Sequence, residues 1–334
     1  MKFEQNTIQT ALDNLKIATG WKASWKQGRI AGLDGELSIQ VGGTPMRFPI
    51  EVKREFRNHN LPTILEKAGQ WKDLMVVAGR IMPGVKGVLR QRHIPYLEGN
   101  GNIFIDKKPV FIWLDSNKPL EMPYEKFNRA LSRAGLQVVF LFLTQPEYIN
   151  KPYRVISQAA GTSLGNINYV IKGLLELGFL VKKNAKEFLL TNKKALLEKW
   201  IAAYEEKLKP ALHIGNFHFA DTHAYQNWNQ ADLNTTETVW GGEPAGDLLT
   251  NYLRPEIFTL YTGVLNKDLM KQLRIVPDAS GPIKVYQKFW ESLPTDEGKT
   301  APPLLVYADL INTNDRRCLE TAQRIYERHI GPYL

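Results

Sequence analysis

The chain has 334 residues, of which 43% are hydrophobic and 23% charged, as in a folded protein and not in a disordered or low-complexity chain; about two or three domains are expected at roughly 150 residues each. A formal net charge of +9 favours polyanionic partners, and a single cysteine, Cys318, excludes an intramolecular disulfide and a cysteine-rich zinc site. The longest apolar run, Val138 to Leu143, is too short to span a bilayer, and the start of the chain lacks the apolar core of a signal peptide, so a soluble, cytoplasmic protein with no membrane partner is expected.

Ile8, Ala11, Leu12 and Leu15 recur at helical spacing and predict a first helix over Ile8 to Ile17. Strands are predicted at Trp21 to Lys26, Glu36 to Val41 and Arg47 to Val52, the last two joined by a turn at Gly42-Gly43. A helix over Leu61 to Trp71, a strand over Asp73 to Ala78, a helix over Val85 to Arg92 and a strand over Asn102 to Ile105 follow. This order is that of a small α/β domain, here taken as residues 1–122.

Glu51 and Lys53 lie two apart on a strand and therefore project from the same face. Asp34, at the start of the neighbouring strand, brings a second carboxylate. Two hard oxygen donors suit Mg²⁺ or Mn²⁺, which would polarise a phosphoryl oxygen and acidify a bound water, while Lys53 would position the attacking hydroxide. Arg54 and Arg57 are candidate phosphate contacts. The acid, the Glu-x-Lys and the order of elements resemble the PD-(D/E)XK restriction-endonuclease-like superfamily. That resemblance implies Asp34 and Glu51 as metal ligands and Asp34, Glu51 and Lys53 as catalytic residues.

Pro119 and Pro123 bracket a linker into a second domain, residues 123–195. Leu136 to Leu143 reads as a buried helix ended at Pro146. A second helix is predicted over Arg154 to Ala160 and a third over Leu164 to Leu177, with Ser163 as N-cap and Gly178 at the C-terminus. Leu164, Ile167, Ile171, Leu174 and Leu175 form the expected apolar face of the third helix. The short runs Phe179 to Val181 and Phe188 to Leu190 flank the basic tip Lys182, Lys183 and Lys186 as a hairpin. Between Lys151 and Trp200 there are nine Lys or Arg against three Glu, so much of the excess charge sits here. The pattern is that of a winged helix-turn-helix, whose third helix enters the major groove of double-stranded DNA while the wing approaches the backbone. Asn166, Asn168 and Tyr169 are candidates for base edges, and Arg154, Ser163 and Lys172 for contacts at the helix start and the phosphates. Lys182, Lys183 and Lys186 add a salt-dependent attraction.

A helix runs on from Lys193 to about Lys207, and strands and helices then mix through a third domain, residues 196–334. His213, His218 and His223 lie near Asp221, but their spacing fits no zinc pattern and they read as loop or interface histidines. Trp228 and Trp240 read as core or partner-contact residues. The strings Trp240-Gly241-Gly242-Glu243, Leu253-Arg254-Pro255, Phe258 to Tyr261 and Pro303 to Leu310, with Tyr169 to Phe179, resemble the AbiEi-type antitoxin and transcriptional regulator family of type IV toxin-antitoxin systems. The resemblance covers about residues 125–334. It implies a bacterial antitoxin whose winged helix binds its own promoter and whose C-terminal domain counteracts a nucleotidyltransferase-type toxin. It also implies a degenerate nucleotidyltransferase-like fold, with Gly241-Gly242 at the turn before a helix. The following strand reads Thr259-Leu260-Tyr261 and lacks an Asp-x-Asp for two metals; Asp309 alone does not replace it. The expected whole is a multidomain α/β protein acting as a DNA-binding regulator and antitoxin. The alternative is an Mg²⁺-dependent endonuclease targeted by its winged helix.

Overall fold

The computed structural model describes residues 2–28, 32–120, 128–184, 187–291, 298–313 and 315–334. The chain is a mixed α/β protein that divides into two compact units, residues 1–125 and 126–334.

The first unit opens with α1 (Lys2–Thr19), whose Ile8, Ala11, Leu12 and Leu15 are buried as their spacing requires. Strands β1 (Ala23–Gln27), β2 (Gly35–Val41) and β3 (Thr44–Phe56) follow as an antiparallel meander. Helix α2 (Leu61–Gln70) then crosses to β4 (Met75–Ile81), and α3 (Pro83–Gln91) to β5 (Tyr96–Glu98). β4 runs parallel to β3 and β5 parallel to β4, a pairing that needs such crossovers. Strands β6 (Ile103–Lys107) and β7 (Val110–Leu114) complete a seven-stranded sheet in sequential order.

The middle of this sheet is covered on both faces, so β4 is buried at four successive positions, Met75 to Ala78. On β3, Met46, Phe48, Ile50 and Val52 enter the core under α1, leaving Glu51 and Lys53 on the opposite face. Strand β3 is longer than the spacing of Arg47 to Val52 predicts. β5 and β7 are additions to the expected order: β5 is three residues long and wholly buried, and β7 alternates in burial but is apolar at every position. The expected linker between Pro119 and Pro123 lies partly outside the described residues.

In the second unit Ser132 accepts a hydrogen bond from the Gly135 amide and caps α4 (Arg133–Thr144), which is buried along most of its length. Helices α5 (Tyr153–Ala159) and α6 (Leu164–Glu176) lead into a two-stranded hairpin of β8 (Leu180–Lys182) and β9 (Phe188–Leu190). Helix α7 (Lys193–Ala203) continues through a further helical turn into α8 (Lys209–Leu212).

Next come β10 (His213–Phe219), α9 (Thr222–Gln226), β11 (Thr238–Gly241), α10 (Gly242–Thr250), β12 (Phe258–Thr262), α11 (Lys267–Leu273), β13 (Ile275–Pro277) and β14 (Ile283–Gln287). The five strands form one sheet in the order β11-β12-β14-β10-β13, with β12 and β14 parallel and the other pairs antiparallel. Helices α12 (Pro303–Ile311) and α13 (Arg316–Ile325) follow.

One hydrophobic core serves this entire unit and runs unbroken across residue 195. Its hinge point is Trp200 on α7. The indole stacks on Phe140 of α4 at 5.4 Å and on Tyr204 at 4.9 Å, and its N–H donates to the Leu136 carbonyl at 2.8 Å. Phe140 also meets Phe289 and Trp290 beyond β14, so the helical segment is seated on the sheet layer by aromatic contacts. Trp228 and Trp240 pack edge to face at 5.5 Å inside the same core. Replacing Trp200 with Ala should cost about 3–5 kcal/mol in urea denaturation; a loss below 1 kcal/mol (about one methylene's worth) would show that the two layers do not depend on this stack.

Candidate functional site

The segment from α5 to β9 carries the DNA-contact candidates, and its burial sorts them. Ile167, Val170, Ile171, Gly173 and Leu174 turn into the core, while Asn168, Tyr169 and Lys172 are exposed on the other side of α6. Leu164 departs from the expected apolar face. It is 54% exposed among the described residues, in the first turn of the helix. Ser163 stands at the N-cap with extended backbone, but its hydroxyl makes no capping bond among the described residues. Asn166 is partly buried, and its amide donates to the Thr162 hydroxyl at 3.0 Å, which bridges the turn to the helix. Arg129 lies over the Tyr169 ring at 5.8 Å. Arg154 is exposed in the first turn of α5.

Gly178, with φ of +74°, takes the left-handed conformation that turns α6 into β8. The hairpin is held in place by Asn150, whose side chain both donates to the Phe188 carbonyl (3.1 Å) and accepts from the Phe188 amide (2.8 Å). Lys182 and Lys183 are exposed, the latter 3.7 Å from Glu187; Lys186 lies outside the described residues. Sequence reasoning passed over the exposed cross-strand pair Val181 and Leu189, which gives the hairpin an apolar face beside its lysines. The whole surface offers an exposed helix flanked by cations. That is the shape and charge a major groove accepts.

The first unit brings Asp34, Glu51 and Lys53 together. Past the last paired residues of β2 and β3, the Asp34 carboxylate accepts the Val52 amide at 2.7 Å and so extends the ladder. Burial holds the Asp34 carboxyl above the usual carboxylate range, with the Glu51 charge adding to it and the Val52 bond opposing. Glu51 is buried, with one oxygen 3.4 Å from the Lys53 ammonium and the other 2.6 Å from that of Lys67 on α2. Lys67 was not singled out by the sequence, since a lysine on a helix ordinarily reads as solvated. His59, in the single turn before α2, was also missed. It is buried, its Nδ1 has no hydrogen-bond partner among the described residues, and burial together with the Arg57 and Lys53 charges pushes its imidazole down to about 3.

A second polar network sits where β4 and β5 end. Glu98 accepts from the Ile81 amide at 2.8 Å and from Asn102 at 3.2 Å, and its carboxylate lies 2.8 Å from Lys86, which also reaches Asp115 at 2.6 Å. Every charge there has a partner, so it fixes the strand ends.

In the second unit a cleft of about 720 Å³ opens beside the start of α10. Strand β11 ends at Gly241 and the helix begins at Gly242, where φ of +47° and the nearness of Thr259 leave no room for a side chain. The amide of Gly242 donates to Asp309 at 3.3 Å. The same carboxylate accepts from the Tyr204 and Tyr261 hydroxyls and lies 3.0 Å from Lys209. Burial would lower the Lys209 ammonium, but the charges of Asp309 and Glu205 together outweigh it and leave it above its ordinary value. Thr259 and Lys284, paired in register on β12 and β14, line the cleft.

His213 bonds Asn216, His218 lies 3.3 Å from Asp278, and Asp221 caps α9 and pairs with Arg274. Among the described residues no group of three or more His, Cys, Asp or Glu side chains is placed to hold a metal ion, and no helix is long and apolar enough to cross a membrane.

Residues 189–331 match the model of the AbiEi_2 family, described as transcriptional regulator, AbiEi antitoxin, type IV toxin-antitoxin system. The match runs from the return strand of the hairpin to the start of the last helical turn, at Gly331. No curated protein and no solved structure matches the chain.

The neutral, buried His59 makes stability depend on pH. Below pH 6.5 the unfolded ring binds a proton that the folded ring refuses until about pH 3, so stability is present above 6.5 and is lost as pH falls. From pH 6.5 to 5 the loss should be about 2 kcal/mol, at about 1.4 kcal/mol per pH unit. Urea melts of wild type and His59→Asn across this window provide the measurement, with a flatter dependence expected in the variant. Equal slopes would contradict the assignment.

Proposed function

We propose that the protein is a DNA-binding transcriptional regulator that acts as the antitoxin of a type IV toxin-antitoxin system. In this reading residues 1–122 form a nuclease-like domain, 123–195 a winged helix-turn-helix and 196–334 a degenerate nucleotidyltransferase-like domain. The observation that carries it is the solvent-open face of α6 beside the basic hairpin, in a chain whose residues 189–331 match an antitoxin and regulator family.

On this reading α6 lies in the major groove, with Asn168 and Tyr169 toward base edges and Asn166 holding the turn before the helix. Arg154, Ser163 and Lys172 contact the sugar-phosphate backbone, and Lys182, Lys183 and Lys186 follow it along the wing. The charges suit such a role, since Lys172 and Lys182 are exposed and carry no ion pair among the described residues. The C-terminal domain would counteract a nucleotidyltransferase-type toxin. Its own cleft supports a lost transferase activity: Thr259 and Tyr261 stand on the strand where paired acids would be needed, and Asp309 is engaged by Lys209 and two tyrosines.

Duplex DNA from upstream of the protein's own gene should bind with strong salt dependence. Lys172→Ala and Lys182→Ala should each reduce the slope of log affinity against log salt by about one. Asn168→Ala should cost about 1–3 kcal/mol on that duplex and less on an unrelated one. Gel-shift titrations at several salt concentrations measure all three, and unchanged slopes with unchanged sequence preference would reject the interface.

A further inference from the structure

The PD-(D/E)XK resemblance implies Mg²⁺ or Mn²⁺ between Asp34 and Glu51, and the residues present do not fit one. A hard divalent cation needs carboxylate oxygens whose lone pairs are open to it. Both oxygens of Glu51 face an ammonium: Oε2 lies 2.6 Å from that of Lys67 and Oε1 3.4 Å from that of Lys53. Asp34 has committed Oδ2 to the Val52 amide at 2.7 Å. A divalent ion placed among these groups would meet two ammonium charges at close range in a half-buried site, where repulsion is weakly screened.

We propose that the Lys67 ammonium is the resident cation of the first unit, occupying the position between α2 and β3 that a divalent metal would need, so that Asp34 and Glu51 hold no metal ion. The placement follows from the fold. Helix α2 is the crossover between the parallel strands β3 and β4, so one of its sides must lie on the sheet face that carries Glu51. Leu61 and Ile64 supply the buried anchors of that side, and Lys67, one turn beyond Ile64, shares it. The lysine stem runs inward and its head reaches both the Glu51 carboxylate and, at 2.8 Å, the Gly32 carbonyl. Three of the things a bound metal would do are thereby done by the chain: neutralising Glu51, tying the helix to the strand and fixing the loop before β2. Lys53, expected to position a hydroxide, instead shares the charge of Glu51. Hydrolysis of a phosphodiester by a metal-bound water has no metal position here, and the first unit becomes a nuclease-like scaffold fixed by an internal ion triad. This inference rests on the geometry of the first unit and is independent of the regulator reading.

The experiment is Mn²⁺ binding to the full chain, read by the electron paramagnetic resonance of free Mn²⁺ and by thermal shift. Wild type should show no saturable site that depends on Glu51. Lys67→Met, which keeps the stem and removes the charge, should gain one and tighten Mn²⁺ binding by at least about tenfold, and adding Glu51→Gln to it should abolish the gain. Lys67→Gln serves as the second uncharged variant should the methionine form fail to fold, and Lys67→Arg should remain silent like wild type. Saturable Mn²⁺ binding by wild type that Glu51→Gln removes would overturn the proposal. So would a folded, uncharged Lys67 variant that binds no more Mn²⁺ than wild type.

Discussion

A charge removed from water costs several kcal/mol unless an opposite charge or a set of hydrogen bonds meets it, and this constraint decides which polar residues of the chain are available to a ligand. Glu51 is met by Lys53 and Lys67, Glu98 by Lys86 and Asn102, and Asp309 by Lys209, two tyrosines and a backbone amide. His59 follows the same rule by another route, giving up its proton. Two of these places carry acids that the sequence suggested for phosphate chemistry. In one an ammonium lies against the acid that would hold a metal; in the other a carboxylate lies against the amide at the head of a helix, where an anion would bind. Internal partners have taken both positions.

The surface of α6 and its hairpin is the opposite case. Asn168, Tyr169, Lys172, Lys182 and Lys183 are all exposed, and their positions are set from behind. Burial of Ile167, Ile171 and Leu174 fixes the rotation of the helix, the Asn150 bonds fix the hairpin, and the Phe140, Trp200 and Tyr204 stack fixes the layer beneath. A platform fixed from behind that carries exposed cations would lose little entropy on meeting a polyanion, and counterion release would supply the drive. Within this second unit the α6 surface and the region matched by the antitoxin family share one core.

Much of the scaffold was legible from local periodicity. The spacing of Ile8, Ala11, Leu12 and Leu15 specifies α1, and period two places Glu51 and Lys53 on one face of β3. The helix and hairpin that carry the DNA-contact candidates were legible too, because the Gly178 turn and the lysines between two short apolar runs each carry a residue-type signal. What stayed hidden depends on tertiary neighbours. Three-residue β5 shows no alternation because all of it is buried. Leu164 fits the apolar stripe by spacing, yet it is left more than half exposed among the described residues. Lys67 on a helix and His59 between two asparagines look like solvated residues, and only the packing of α2 on β3 reveals where their heads lie. The engagement of Asp309 depends on Tyr204 and Lys209, about a hundred positions earlier in the chain.

Hydrogen exchange of the full chain with and without the duplex from upstream of its own gene tests the central claim most directly. The account predicts new protection confined to the start and exposed side of α6 and to the hairpin strands β8 and β9, with amides of the seven-stranded sheet unchanged. Protection appearing around Glu51 and α2 while α6 exchanges as in the free protein would contradict it.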